Sequence, residues 1–276
     1  MEERFGFLDP QTRTQVLVKG PDVATGRSVR PVVVGALGGA GTRLLVSILG
    51  QAGVFMGSWL DHRTQDSQPF RVFLSRWFNP LADHLLHGAE LDRGAIDADF
   101  ERSLRIHLMG RSAGRWGWKN PRNMWLLPFY AARYPDMKFL HLIRDGRDMA
   151  LGDNQNLLRA SGQLLLGSEW RVSPVESQLA LWELGNKTAR AHARALLAPG
   201  SYLLVRYEDL CQRPAEIIPE IIRFVDGDVH ETDTDALAAL VRPSARIGTG
   251  AGILRECVNI DPHAFGHTLK CFGYPS

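Results

Sequence analysis

The segment over residues 31–53, PVVVGALGGAGTRLLVSILGQAG, constrains the fold more than any other part of the chain. It begins with Val32–Val34, a β-branched apolar run that is typical of a buried strand. Four glycines follow between positions 35 and 41, and apolar residues at helical spacing begin after Thr42. The segment therefore predicts a strand, a glycine-rich turn and a helix in immediate succession.

The glycine-rich turn is suited to an anion. Glycines allow tight backbone geometry and the close approach of a ligand. Unpaired amides at a helix start, together with the helix dipole, favour negative charge. The alternative is a strand-to-helix turn with incidental glycines. We predict an oxyanion site at the turn residues Gly38, Gly39, Ala40, Gly41, Thr42 and Arg43.

The same turn departs from the loop of nucleotide triphosphatases. That loop has the pattern G-x-x-x-x-G-K-[ST], in which the final hydroxyl binds magnesium. Here Ala36 stands at the first glycine position, and Thr42 and Arg43 follow the last glycine. A phosphotransferase that uses Mg·ATP is therefore the less favoured alternative, and we predict no metal site.

A second motif follows further along the chain. Residues 138–144, KFLHLIR, are strand-like and are followed directly by DGRD. Arg144 would then lie at the carboxyl end of a strand, where open α/β sheets bind ligands. A guanidinium at that edge can bind a terminal phosphate through two hydrogen bonds.

Four motifs in order carry a resemblance to a known family. They are GALGGAGTRLL, WGWKNPRN, LIRDGRDMA and LLVRYEDLCQRP, between residues 31 and 225. Together they resemble the sulfotransferases that use 3′-phosphoadenylyl sulfate (PAPS), of the bacterial, cytosolic type. The resemblance implies transfer of a sulfuryl group to the hydroxyl or amine of a small-molecule or glycan acceptor. The product would be adenosine 3′,5′-bisphosphate.

The resemblance also implies roles for individual residues. The loop over residues 38–43 matches the family's 5′-phosphosulfate loop, and Arg144 matches the arginine that binds the 3′-phosphate. Lys119 matches a strand end that carries a catalytic lysine in many members. Asp61 lies near the position where glycan-modifying members have a carboxylate base.

Sulfuryl transfer needs a cation and a base. Negative charge grows on the departing phosphate oxygen, so a cation near it lowers the barrier. We assign that role to Lys119, with Arg43 second and a solvated strand-end lysine as the alternative. For the base, Asp61 leads on position and His62 on the intrinsic pKa of imidazole. It stays open whether Asp61, His62 and Asp66 are instead ordinary polar residues of a loop.

Three departures from the family pattern give a second functional alternative. Many members carry a lysine or arginine in the loop where this chain has Gly38 and Gly39. A serine that shares the 3′-phosphate is replaced by Gly152, which we keep as a cofactor-binding position. Related bacterial sequences read IGRW where residues 247–250 are IGTG. The alternative is a catalytically weakened or inactive nucleotide-binding member of the family.

Side chains near the second motif have further predicted roles. Asp145 and Asp148 are expected to hold the arginines beside them or to cap a helix. Trp182 and Tyr207 could stack on adenine, although Trp182 also has the helical spacing of a core residue.

The alternation of strands and helices predicts an α/β fold. We expect a P-loop-like three-layer sandwich, with a central, mostly parallel sheet of about five strands and helices on both faces. The predicted strands are residues 32–35, 54–56, 116–119, 138–143 and 202–205. The predicted helices are residues 42–51, 69–86, 97–109, 123–133, 174–197 and 215–225. Residues 1–30 are expected to be a lead-in and residues 31–276 a single domain.

Composition excludes several classes. A formal net charge of +2 gives no argument for nucleic acid or a membrane surface. Three widely spaced cysteines indicate neither a disulfide framework nor a zinc site. No apolar run reaches the roughly 18 residues of a membrane span, and the charged first residues lack the core of a secretory signal. We predict a cytoplasmic enzyme, while its acceptor and oligomeric state stay open.

Overall fold

A computed structural model describes residues 30–109, 114–167, 170, 174–227, 232–256 and 265–275. Its centre is a sheet in which every pairing is parallel, with the strand order β2-β1-β3-β4. The described strands are β1 (Val32–Ala36), β2 (Gly117–Lys119), β3 (Lys138–Ile143) and β4 (Tyr202–Arg206). The parallel α/β sheet is confirmed, with four strands in the described residues instead of about five. The predicted lead-in lies outside the described residues, except for its last position.

The predicted strand at residues 54–56 is wrong. Only Phe55 pairs there, in an isolated parallel bridge with Trp116. Gly53 and Gly57, on either side, have φ values of 81° and 127° and turn the backbone away. The segment is therefore too short to form a ladder beside β2.

Helices flank the sheet, and most lie close to their predicted positions. In chain order they are α1 (Thr42–Gln51), α2 (Gln68–His87), α3 (Arg93–His107), a 3₁₀-helix (Pro121–Trp125), α4 (Leu127–Arg133), α5 (Gly146–Ala150), α6 (Asn156–Leu166), α7 (Pro174–Leu196), α8 (Tyr207–Gln212), α9 (Pro214–Asp226), α10 (Thr234–Ala238), α11 (Gly250–Glu256) and α12 (Gly266–Cys271). Among them, no helix combines the length and hydrophobicity needed to cross a bilayer.

Two predicted helices differ from the structure. The helix expected from residue 97 begins at Arg93, because Asp92 is the N-cap and its carboxylate accepts a hydrogen bond from the Ala95 amide at 3.0 Å. The helix expected over residues 123–133 is divided into the 3₁₀-helix and α4. Pro128, in the first turn of α4, has no N–H to continue the earlier hydrogen bonds.

An aromatic cluster fixes the position of β2. Trp118, at the centre of that strand, is fully buried and stacks on Phe70 of α2 with ring centres 4.8 Å apart. The ring of Tyr130 in α4 packs edge-on against Trp118 at 5.3 Å. Lys119 follows Trp118, so the packing of three elements determines where the lysine lies.

The strand order creates a crevice. From β1 the chain passes to β2 on one side and then to β3 on the other side of β1. The loops that follow β1 and β3 therefore leave the sheet in different directions. Open α/β sheets bind ligands at such a switch point, outside the carboxyl ends of the strands.

Candidate functional site

The loop after β1 forms one wall of the crevice. Gly39 and Gly41 have φ values of 98° and 95°, which side chains rarely tolerate. A Cβ on Gly41 would also lie 2.4 Å from the ring of Tyr207. Gly41 is the N-cap of α1, and neither a capping side chain nor a first-turn acid is present there. The first amides of α1 therefore stay available to an anion.

Arg144 forms the opposite wall, directly after β3. Its residue surface is only 9% exposed. One guanidinium nitrogen, Nη2, donates to Asp148 Oδ2 at 3.4 Å, and the guanidinium carbon lies 5.1 Å from the ring centre of Tyr207. Its Nε is buried with no hydrogen-bond partner among the described residues. An unpaired buried donor on a cation is costly, and an anion in the crevice would satisfy it.

Asp148 holds this side of the site together. Its side chain is fully buried, and it accepts hydrogen bonds from the amides of Gly248 at 2.9 Å and Gly250 at 2.8 Å as well as from Arg144. A Cβ on Gly250 would lie 2.4 Å from the carbonyl carbon of Arg147. The IGTG segment therefore packs against α5, beside Arg144.

The predicted roles of the two acids are confirmed. Asp145 caps α5 by accepting a hydrogen bond from the Arg147 amide at 2.9 Å, and its carboxylate pairs with the guanidinium of Arg147 at 2.7 Å. Asp148 contacts Arg144. Of the two roles considered for Trp182, the core role is confirmed, because the ring is fully buried and donates its Nε1–H to the Arg144 carbonyl at 2.8 Å.

Lys119 is buried at the end of β2. Its Nζ donates to Asp66 Oδ1 at 2.7 Å and to the Thr64 carbonyl at 2.5 Å, and its side chain is only 2% exposed. Burial lowers the pKa of Lys119 below its ordinary 10.5, while Asp66 opposes the shift. The alternative of a solvated lysine is therefore wrong. Arg43 is exposed and donates to the Arg63 carbonyl at 3.3 Å, so both cations contact the loop over residues 57–67.

Asp61 caps a turn in that loop. Its carboxylate accepts hydrogen bonds from the backbone amides of Thr64 and Arg63 at 2.8 and 2.9 Å, and from Arg71 Nη1 at 2.9 Å. The amide of Thr64 is the main reason that the pKa of Asp61 is lowered to about 2; desolvation opposes this shift. A carboxylate with so low a pKa is a weak proton acceptor near neutral pH.

The remaining loop candidates differ in their surroundings. Asp66 is committed to Lys119. His62 is exposed, and its imidazole has no hydrogen bond or ion pair within the described part of the chain. His62 is thus the candidate base that is free to contact an acceptor.

Gly152 closes the turn after α5. Its amide donates to the Met149 carbonyl at 3.0 Å, and its carbonyl accepts from Gln155 Nε2 at 2.9 Å. It offers no side chain to a ligand. Two residues later, Asn154 lies against Gly38 of the loop after β1, an interaction that the sequence motifs do not indicate.

Comparison with known proteins bears on this site. The model of the Sulfotransferase family matches residues 31–231. The structure is similar to a sulfotransferase from Alicyclobacillus acidocaldarius, with a TM-score of 0.52 and 13% identity, over 90% of this chain and 97% of that one. It is also similar to sulfotransferase STF9 from Mycobacterium avium, with a TM-score of 0.51 and 15% identity, over 89% and 77% of the two chains. At such identities these likenesses show the fold alone. No curated protein matches the sequence.

Proposed function

The chain belongs to the sulfotransferase family, and from that membership we propose that it transfers a sulfuryl group from PAPS to a hydroxyl or amine. The acceptor would be a small molecule or a glycan, and adenosine 3′,5′-bisphosphate would be released. The observation that carries the proposal is the buried Nε of Arg144, which has no hydrogen-bond partner in the described part of the chain and lies in the same crevice as the glycine loop. The cytoplasmic location stays a prediction.

The residues present fit a donor with two anionic ends. Arg144 would hold the 3′-phosphate, because its guanidinium is fixed by Asp148 and still has a donor to give. The loop over residues 38–43 would hold the 5′ end with the uncapped amides of α1. Tyr207 contacts both walls, since it packs against Gly41 and under Arg144. When bound, PAPS would supply the sulfuryl group.

Lys119 would then stabilise the charge on the departing phosphate oxygen, and His62 would take the proton from the acceptor. An ammonium has three donors, and Lys119 uses two of them on Asp66 and Thr64. We assign the third to the phosphate oxygen that becomes negative as the acceptor is sulfated. His62 would accept the proton from the acceptor hydroxyl. Asp61 is less suited, because the hydrogen bonds of its turn lower its pKa and make its carboxylate a weak base.

A cavity beside the loop over residues 57–67 is the proposed acceptor site. Its volume is about 390 Å³, and it lies between α1 and residues 53–65. Among the described residues that line it, the side chains are apolar or uncharged: Val46, Val54, Phe55, Met56, Leu60, Ser47, Gln51 and Gln65. Such a lining favours an uncharged acceptor with apolar surface.

A catalytically weakened or inactive family member is the second candidate. Gly152 has no hydroxyl for the 3′-phosphate, and Asp61 already accepts hydrogen bonds from its own turn and from Arg71 of α2. In this alternative, Lys119 and Asp66 only fasten the loop to the sheet. Binding of the nucleotide would then occur without turnover.

Calorimetry followed by a sulfation assay tests both candidates. We expect adenosine 3′,5′-bisphosphate to bind without magnesium and more tightly than ATP. Binding of ATP alone, and only with magnesium, would exclude both candidates. With binding established, mass spectrometry of a metabolite library incubated with PAPS would look for the gain of one sulfuryl group. That gain supports the enzyme, and its absence with intact binding supports the inactive member.

A further inference from the structure

The side chain of Asn154 connects the two walls of the crevice. It follows α5 on the β3 side, and its side chain lies against Gly38 and Gly39 in the loop after β1. A Cβ on Gly38 would be 3.1 Å from Asn154 Nδ2 and 3.4 Å from its Cγ. A Cβ on Gly39 would be 3.9 Å from Asn154 Cβ. The amide group therefore occupies the space that a side chain at position 38 would need.

The amide of Asn154 is free to donate. The residue is exposed, and its side chain has no hydrogen bond to any other described residue. It lies against Gly38 and Gly39, in the loop that leads into the uncapped start of α1. A side chain with two N–H donors, placed on an oxyanion loop and unpaired there, is positioned for a ligand oxygen.

We propose that the Asn154 side-chain amide donates a hydrogen bond to the 5′-phosphate group of the bound nucleotide. This inference rests on the proposed function and extends it to a residue from the opposite wall. The loop itself has glycines at positions 38 and 39 and offers no side-chain donor there. Asn154 supplies a neutral donor in its place, and so recognises the 5′ end specifically.

The test is an amide-to-carboxylate change with a matched control. Asn154→Asp keeps the shape of the side chain but replaces the donor with a negative charge. Asn156→Asp makes the same change two residues later, at an exposed position where Asn156 Oδ1 accepts from Arg159 at 3.3 Å. Each variant is titrated by calorimetry with adenosine 3′,5′-bisphosphate and with adenosine 3′-phosphate, which lacks the 5′ group.

We expect Asn154→Asp to weaken binding of the bisphosphate by about tenfold to a hundredfold, the range for hydrogen bonds to charged groups. Binding of adenosine 3′-phosphate should stay within about twofold. Asn154→Ala should weaken the bisphosphate by about threefold to tenfold, since it removes the donor without adding charge. Asn156→Asp should leave both ligands unchanged.

Equal losses for the two ligands, or equal effects of the two aspartate variants, would overturn the inference and leave the proposed function standing. If the unaltered chain binds neither ligand, the proposed function fails and the inference fails with it. Failure of the inference is seen only in the variants, whereas failure of the proposed function is seen with the unaltered chain. The two failures can therefore be told apart.

Discussion

Two sides of the crevice differ in how far their polar groups are satisfied. The first side comprises the loop after β1 together with Arg144, which is fixed by Asp148 and lies over the ring of Tyr207, yet its Nε stays unpaired among the described residues. The second side comprises Lys119 and the loop over residues 57–67, where Lys119 and Asp66 pair with each other. The first side keeps a donor for a ligand, whereas the charges of the second side pair with each other. We therefore expect nucleotide binding to need little rearrangement, and the chemical step to depend on the N–H donor that Lys119 does not use on Asp66 and Thr64.

The largest expected effect is at Lys119. If its ammonium meets the departing oxygen only as charge develops, Lys119→Met lowers kcat by about 10²–10³ and leaves affinity for adenosine 3′,5′-bisphosphate nearly unchanged. Single-turnover sulfation with saturating PAPS, alongside calorimetry, measures the two quantities. Full turnover in the variant would show that Lys119 has only a structural role.

Lys119→Met also breaks the ion pair with Asp66, so a loss of stability could be mistaken for a loss of catalysis. A double variant separates the two effects. Removing Lys119 alone leaves Asp66 charged and mostly buried, and breaking a buried pair in this way typically costs about 3–5 kcal/mol. Lys119→Met with Asp66→Asn removes that charge. We expect the double variant to recover stability against urea but not turnover. Recovery of both would show that the pair only fastens the loop.

The next largest effect is at Arg144. Arg144→Ala should weaken adenosine 3′,5′-bisphosphate by about tenfold to a hundredfold, since a hydrogen bond to a charged group is worth about 1.5–3 kcal/mol. Adenosine 5′-phosphosulfate, which lacks the 3′-phosphate, should lose far less. Calorimetry with both ligands makes the comparison, and equal losses would contradict the assignment.

A smaller effect is expected at Asp148, which acts through Arg144. In Asp148→Asn, the amide N–H group must face either Arg144 or one of the amides of Gly248 and Gly250, all of which are donors. We expect about a threefold to tenfold loss of affinity for the bisphosphate and a loss of about 1–3 kcal/mol in stability. Asp153→Asn, at a side chain that is 96% exposed, is the control. An Asp148 variant that binds like this control would show that Arg144 is held by its packing alone.

The smallest effect at neutral pH concerns His107, which anchors the loop over residues 57–67 on the second side of the crevice. Its Nδ1 accepts from the Ser67 hydroxyl at 2.8 Å, and its Nε2 donates to the Gly117 carbonyl at 2.9 Å. Burial lowers the pKa of His107 to about 4, and also that of His141 to about 4, from an ordinary 6.5. Both stay neutral in the folded chain and take up protons on unfolding below pH 6.5.

The stability that these histidines contribute is therefore present above pH 6.5 and lost as the pH falls toward 4. Each contributes a slope of at most about 1.4 kcal/mol per pH unit. Urea unfolding at several pH values measures it, and His107→Gln should remove the contribution of His107, at most about 1.4 kcal/mol per pH unit. An unchanged slope in that variant would assign the pH dependence elsewhere.

The sequence predicts the first side of the crevice, with the glycine loop and Arg144, better than the second side, with Lys119 and the loop over residues 57–67. The strand, turn and helix over residues 31–53 are local, and so is β3, whose predicted bounds are confirmed. Glycines with positive φ and an arginine directly after a strand are visible as patterns along the chain. The side-chain roles at the loop, at Arg144 and at Lys119 stay predictions until ligand binding is measured.

Contacts between distant segments could not be predicted in the same way. No pattern near Lys119 indicates that Asp66 will meet it, and none near Asn154 indicates the contact with Gly38. The strand predicted at residues 54–56 is limited to one paired residue, because Gly53 and Gly57 turn the backbone away on either side. Such outcomes depend on how helices and loops pack, which local propensity does not encode.

The hydrogen bonds of Asp148 have a consequence for the order in which the site is assembled. Gly250 lies 102 residues after Asp148 along the chain. During synthesis, the carboxylate and Arg144 emerge long before the two glycine amides that complete their surroundings. We therefore expect the proposed nucleotide site to be completed late, when the IGTG segment docks on α5. Bound nucleotide should slow hydrogen exchange at the amides of Gly248 and Gly250, although neither glycine needs to touch it.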